Sequence, residues 1–194
     1  EHYSYFTVKP LKLFFKSLGM KIIDVEDNNT KGGSMRVTLQ LENGNRDINQ
    51  SVEDHVLLEE QEGFQTSEIF SSYNERINKS KIDYQKLINE IRENDKNAVI
   101  AGYGASATST TLIYHFEMGE YLSYLVDDFE AKHNLFSPGL KIPCFSSDYI
   151  YSNKPDYIII LAWRYADKII SSNQKFLDQG GKFILPLTEA KIIG

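Results

Sequence analysis

Apolar positions at the start of the chain recur three and four residues apart. Leu11, Phe14, Phe15 and Leu18 follow that spacing, which predicts a helix over 7–18. Thr7 can cap it, Pro10 suits its early turn and Gly19 stops it. The period then drops to two, predicting a strand over 20–25. Gly32-Gly33-Ser34 marks a turn, and a second strand is predicted over 35–41, closed by Asn43-Gly44-Asn45. Two helices follow, a short one over 52–60 and a long one over 67–92. In the long one Phe70, Tyr73, Ile77, Tyr84, Leu87, Ile88 and Ile91 lie near one stripe, with charges between them. Such a stripe reads as a core-packing face.

From residue 98 the texture changes to short apolar runs separated by helical stretches. Strands are predicted at 98–101, 121–126, 156–161 and 182–185, the last stopped by Pro186. Helices are predicted at 105–118, 146–151 and 164–178. The run at 156–161 is apolar throughout, as in a parallel strand buried on both faces. The expected fold is α/β. A Rossmann-like, doubly wound, mostly parallel sheet over 96–194 follows a smaller α+β segment over 1–95 with a helical connector.

Composition changes this picture little. With 41% hydrophobic and 25% charged residues in 194, the chain can bury an ordinary globular core. The net charge of −6 and the lack of a basic stripe argue against a nucleic-acid partner. No apolar run reaches the roughly 18–20 residues of a membrane helix, so no membrane partner is expected. Cys144 is the one cysteine, which excludes an internal disulfide and fits a cytoplasmic location. The first residue is not methionine, and the start reads like a cut through a longer protein.

Candidate chemistry gathers in four places. Gly102-Tyr103-Gly104-Ala105-Ser106-Ala107 follows a predicted strand and opens a helix, fitting G-x-G-x-x-G/A. In that pattern the first glycine permits a tight turn and the second lets the backbone approach a ligand. The helix start then offers N–H groups to an anion. Asp127, at the end of the next strand, suits a ribose hydroxyl; Asp128 beside it points to the opposite face, so the two are not a metal pair. No metal site is expected. Trp163-Arg164 follows the apolar strand at the carboxyl edge of the sheet, where Arg164 can meet a phosphate. Glu1-His2 and Tyr5 combine a candidate base, a carboxylate to orient it and a phenol able to polarise a carbonyl. From these residues alone, NAD binding is one reading and a non-catalytic binding module another.

Several segments, in order along the chain, resemble the deoxysugar C-methyltransferases. Glu1-His2-Tyr3-Ser4-Tyr5-Phe6 is similar to their E-H-x-S-Y-F, and Gly32 to Val37 to their G-G-S-x-R-V. Gly102 to Ala107 is similar to G-Y-G-A-[SA]-A, and Val126-Asp127-Asp128 with Lys132 and Ser137-Pro138-Gly139 to V-D-D-x-x-x-K and T-P-G. Leu161-Ala162-Trp163 with Ala166-Asp167 matches L-A-W-x-x-A-D, and Gly180 to Ile184 matches G-G-K-F-I. The resemblance implies an S-adenosylmethionine-dependent enzyme acting on a nucleotide-linked keto-deoxysugar through an enolate. His2 would be the base. The methyl donor would be bound by a region preceding Glu1. The Rossmann-like domain would hold the nucleotide sugar through Gly102 to Ser106, Asp127, Asp128, Lys132, Trp163 and Arg164. The family loop continues Lys-Gly-Asn where this chain has Thr108-Ser109-Thr110. Arg164 stands where Asn is usual and offers a substitute charge.

Overall fold

Helix α1 (Val8–Ser17) starts after Thr7, whose side chain does not cap it. The cap comes from elsewhere. The carboxylate of Glu59, buried in α2 (Gln50–Gln61), accepts the N–H groups of Val8 and Lys9, the latter at 2.9 Å. The computed structural model describes residues 4–194, except for the side chain of Lys31. Two compact units divide at Asn74/Glu75. In the first, β1 (Met20–Asn28) and β2 (Ser34–Leu41) form an antiparallel pair with a register break between Ile22 and Asp24. Val8, Ile22, Val25 and Val52 make its core, with Leu11 and Phe15 against them. Phe14 and Leu18, expected on the same stripe as Leu11, are exposed.

Helix α3 (Glu68–Asn94) runs from one unit into the next. Its stripe divides with them. Phe70 and Tyr73 are exposed, whereas Tyr84, Ile88 and Ile91 are buried in the core of the second unit with Ile100, Leu112 and Ile113.

In the second unit the elements are β3 (Ile100–Tyr103), α4 (Ala107–His115), β4 (Leu122–Asp127), β5 (Leu135–Phe136), β6 (Pro143–Ser146) and α5 (Tyr149–Asn153). They continue with β7 (Tyr157–Ile160), α6 (Ala166–Ser172), α7 (Gln174–Asp178), β8 (Lys182–Leu185) and β9 (Lys191–Ile193). Among the described residues seven strands form one sheet in the order β5-β6-β4-β3-β7-β8-β9. The inner five are parallel, while β5 and β9 run antiparallel at the two edges. The chain therefore winds outward from β3 in both directions, and the order reverses beside β3 and β7, as in a doubly wound fold.

Alternate residues of each central strand enter opposite cores. Ile100, Leu125, Ile159 and Leu161 pack with α3 and α4 on one face. Ala101, Tyr103, Val126, Ile158 and Ile160 pack with Ile150, Ile169 and Phe176 on the other. This is the α/β doubly wound, mostly parallel arrangement read from the strand–helix alternation.

Three local differences have physical causes. The first central strand begins at Ile100 rather than Ala98, because the N–H of Val99 donates to the Asp156 carboxylate at 2.7 Å instead of joining the ladder. The helix expected over 164–178 is broken at Asn173, whose amide donates to the carbonyl of Ile169 at 2.8 Å and replaces a helical hydrogen bond. Strands β5, β6 and β9 were not expected at all, and β9 rather than β8 is the last.

Candidate functional site

The carboxyl ends of β3, β4 and β7 bring together the glycine loop, the 127–132 turn and the turn beginning at Trp163. The two glycines do different work. Gly102 lies within β3 rather than in a turn, and a Cβ there would sit 2.7 Å from Leu125 Cδ2 and from Leu161 Cδ1. Its smallness serves the core under α4. Gly104 has φ +108°, and a Cβ there would meet Ala162 Cβ at 2.7 Å and Ala162 N at 2.9 Å. The close approach it permits is to the loop after β7, not to open space. The carbonyl of Tyr103 seals the same contact by accepting the N–H groups of Leu161 (2.9 Å) and Ala162 (3.0 Å). Trp163 is thereby held beside the glycine loop.

Asp127 is the centre of the loop's polar structure. Its Oδ2 accepts the N–H of Ala105 at 2.7 Å and the ammonium of Lys132 at 2.8 Å, and its Oδ1 accepts the N–H of Phe129 at 2.9 Å. Burial opposes ionisation of this carboxyl, but Lys132, Ala105 and Phe129 together hold it below the usual carboxylate range. Three of its roughly four acceptor positions are filled from within the chain. The Ala105 N–H, which in a dinucleotide site would face the ligand, is filled by the chain's own acid. The start of α4 is likewise capped from within, by Ser106 Oγ accepting the N–H of Ser109 at 3.1 Å. His133 reaches the carbonyl of Asp127 at 2.8 Å.

Asp128 faces the other way, as expected for adjacent strand-end residues. It accepts the hydroxyl of Tyr103 at 2.7 Å. Tyr103 is buried on the face opposite α4, and burial, helped by Asp128, pushes its phenol up to about 12. It is a neutral donor at any physiological pH. The structure thus brings Ala105, Asp127 and Lys132 together and places the Tyr103 ring with Asp128 on the other face. The Arg164 guanidinium stacks on Trp163 at 4.8 Å, and both side chains are exposed. Glu1 and His2 lie outside the described residues. Tyr5 is exposed.

One feature escaped the sequence. A pocket of about 100 Å³ lies beneath α4, between that helix and the β5–β6 hairpin. Ser109, Thr110 and Ile113 form its helix side, and Leu125, Phe136 and Cys144 its sheet side, with Lys132 among its lining residues. The alternation of buried Ile142 and Cys144 was the available signal for β6, but Pro143 between them obscured it. Burial raises the Cys144 thiol above its ordinary range, so it stays protonated. Among the described residues no cluster of three or more metal-ligating side chains occurs, and no helix is long and apolar enough to cross a membrane.

Comparison with known proteins adds a family and two likenesses. The family model described as "C-methyltransferase C-terminal domain" matches residues 29–188. The C-methyltransferase NovU of Streptomyces niveus is 28% identical over 194 residues, all of this chain and 46% of that protein. The chain thus spans about half the length of this curated relative. The crystal structure of UDP-D-quinovosamine 4-dehydrogenase from Vibrio fischeri is 15% identical with a TM-score of 0.37, over 50% of this chain and 93% of that one.

Proposed function

Because the chain belongs to the C-methyltransferase C-terminal domain family, we propose that it is the substrate-holding part of an S-adenosylmethionine-dependent enzyme that methylates a carbon of a nucleotide-linked keto-deoxysugar. The observation that carries this reading is the family match, which runs through both units and includes the whole carboxyl edge. Arg164 and Lys132 supply cations on either side of the glycine loop, suited to a ligand carrying phosphates. Trp163, exposed beside that loop, supplies stacking area.

The described residues do not fit S-adenosylmethionine. The carboxylate that would take the ribose of an adenosyl group, Asp127, is bound to Ala105, Phe129 and Lys132. The same pairing disfavours NAD. We therefore assign the methyl donor to a part of the protein outside this chain, and the step assigned to this chain ends at the enolate. In that step the His2 imidazole takes the proton from the carbon beside the ketone. The C–H electron pair becomes the C=C bond, and negative charge moves to the ketone oxygen. Glu1 orients the imidazole, and Tyr5 donates to the developing oxyanion. A histidine with a reference pKa of about 6.5 is largely neutral at pH 7 and competent as a base.

The test isolates this step. Deuterium exchange at the carbon next to the ketone, followed by NMR without any methyl donor, should slow by about 10²–10⁴-fold in the full-length His2→Asn enzyme. Exchange at the wild-type rate removes His2 from the role.

A further inference from the structure

In the first unit α2 touches both β1 and α1, and His55 sits midway along it. We propose that His55 is a pH-sensitive latch: as an imidazolium it fastens α2 to the end of β1, and losing a proton loosens α2 and, through Glu59, the start of α1. This device goes beyond the reaction proposed above and does not depend on it.

The polar contacts of α2 run in sequence along β1 and then pass to α1. Just before the helix, the N–H of Asn49 donates to the carbonyl of Ile23 at 2.8 Å. In its first turn, Ser51 Oγ accepts the N–H of Val25 at 3.2 Å and donates to the Asp24 carboxylate at 2.7 Å. One turn on, His55 Nδ1 lies 2.7 Å from the carbonyl oxygen of Ser51, and its Nε2 lies 3.1 Å from Oδ2 of Asp27, near the end of β1. A further turn on, the Glu59 carboxylate accepts the N–H groups of Val8 and Lys9.

Hydrogen-bond chemistry fixes the charge on His55. A carbonyl and a carboxylate can only accept, so both ring nitrogens have to donate, and only the imidazolium carries a proton on each. A neutral ring would turn a lone pair toward one of the two oxygens. The charged groups around it agree. Asp27 of β1 and Glu59 of α2 act on the ring as anions, while Asp24 of β1 is engaged with Ser51 and Asp54 of α2 with Gln50. The cations of neighbouring elements have other partners: Lys9 and Lys12 of α1 pair with Glu60 and Glu53, and Arg36 of β2 pairs with Glu26. Burial opposes the charge on His55, but the Ser51 carbonyl, Asp27 and Glu59 outweigh it and hold the imidazole above its ordinary pKa. Glu59 is itself buried, and a buried carboxylate needs compensation, part of which the His55 cation one turn away supplies. Deprotonation therefore acts twice: it breaks the contact with Asp27 and removes a positive charge beside the cap of α1. Because the folded pKa is raised, the latch is fully closed below the unfolded value of about 6.5 and is lost as pH rises through the folded value.

The test uses the full 194-residue chain. The ring-nitrogen shifts of His55, followed by NMR, should titrate with a midpoint above about 6.5. Protection of the Val8 and Lys9 amides from hydrogen exchange, corrected for the intrinsic pH dependence, should fall by up to about tenfold per pH unit from about pH 6.5 and level off above the midpoint. In Asp27→Asn the midpoint should drop, and the loss of protection should move with it to lower pH. In His55→Gln the protection of the two amides should be low and no longer fall with pH. If His55→Gln does not fold, the wild-type and Asp27→Asn titrations decide the matter. A midpoint at or below about 6.5 overturns the proposal. So does a raised midpoint across which the Val8 and Lys9 amides keep their protection.

Discussion

Gly102 and Gly104 are two positions apart, yet they answer to different constraints, and substitution separates them. Alanine at 102 meets the ends of two leucine side chains, which can shift, so Gly102→Ala should cost about 1–3 kcal/mol as overpacking. Alanine at 104 meets the backbone nitrogen of Ala162, which cannot easily move. It also takes a positive φ, which adds about 1–2 kcal/mol. Urea denaturation should rank Gly104→Ala as the more destabilised, and equal losses would refute the packing described for the two loops. Asp127 makes a second residue-scale case. Its folded pKa is depressed, so its contribution is full above the unfolded value of about 3.9 and disappears as pH falls through the folded value. Asp127→Asn should therefore destabilise by about 1–3 kcal/mol at pH 7, with the gap to wild type closing below pH 4. A pH-independent gap would mean that the lost contribution is not ionic. The sequence marked Gly102, Gly104 and Asp127 as important, but for a ligand. Their internal partners, Leu161, Ala162 and Lys132, become visible only when β7 and the 127–132 turn are placed beside β3.

At the scale of elements, α1 shows how a helix boundary can be legible while its cause is not. Thr7, Pro10 and Gly19 located its ends, yet the capping group is Glu59, some fifty residues away in α2. A carboxylate from another helix leaves no local signature. Glu59→Ala should destabilise the first unit by about 0.5–2 kcal/mol and speed hydrogen exchange at the Val8 and Lys9 amides. Glu59→Gln, which keeps an acceptor, should lose less. If the two amides keep their protection in Glu59→Ala, the cap is not what holds the start of α1. The central strands were legible because apolar runs bounded by glycine and aspartate have few other readings. The edge strands β5 and β9, two and three residues long, carry too little alternation to read, and Pro143 obscured β6, which is why these three were missed. With them went the pocket that the β5–β6 hairpin walls. The break at Asn173 was hidden for a related reason. Its cause is one side chain competing for a backbone carbonyl, and the helical period continues on both sides of it.

For the whole molecule, the doubly wound order was readable from strand–helix alternation, because parallel neighbours need crossovers and crossovers keep one hand. What the chain can do alone follows from what its edge lacks. The glycine loop resembles a cofactor loop, but Asp127, Lys132 and Ser106 already occupy its anion- and ribose-facing groups. The chain also matches only 46% of NovU. Under the function proposed above, the methyl donor is held by protein outside these residues. We expect the 194-residue chain to fold, with the circular dichroism of an α/β protein, and to transfer no label from S-adenosylmethionine carrying a labelled methyl group to nucleotide-linked 4-keto sugars. The full-length protein should transfer it under the same conditions. Adding excess isolated chain to the full-length enzyme should slow transfer if both compete for limiting nucleotide sugar, and a surplus of that substrate should relieve the inhibition. Label transferred by the isolated chain would mean that its edge holds the donor after all. Asp127 would then have to release Ala105 to admit it, and Asp127→Ala, which vacates that N–H, should bind the donor more tightly than wild type.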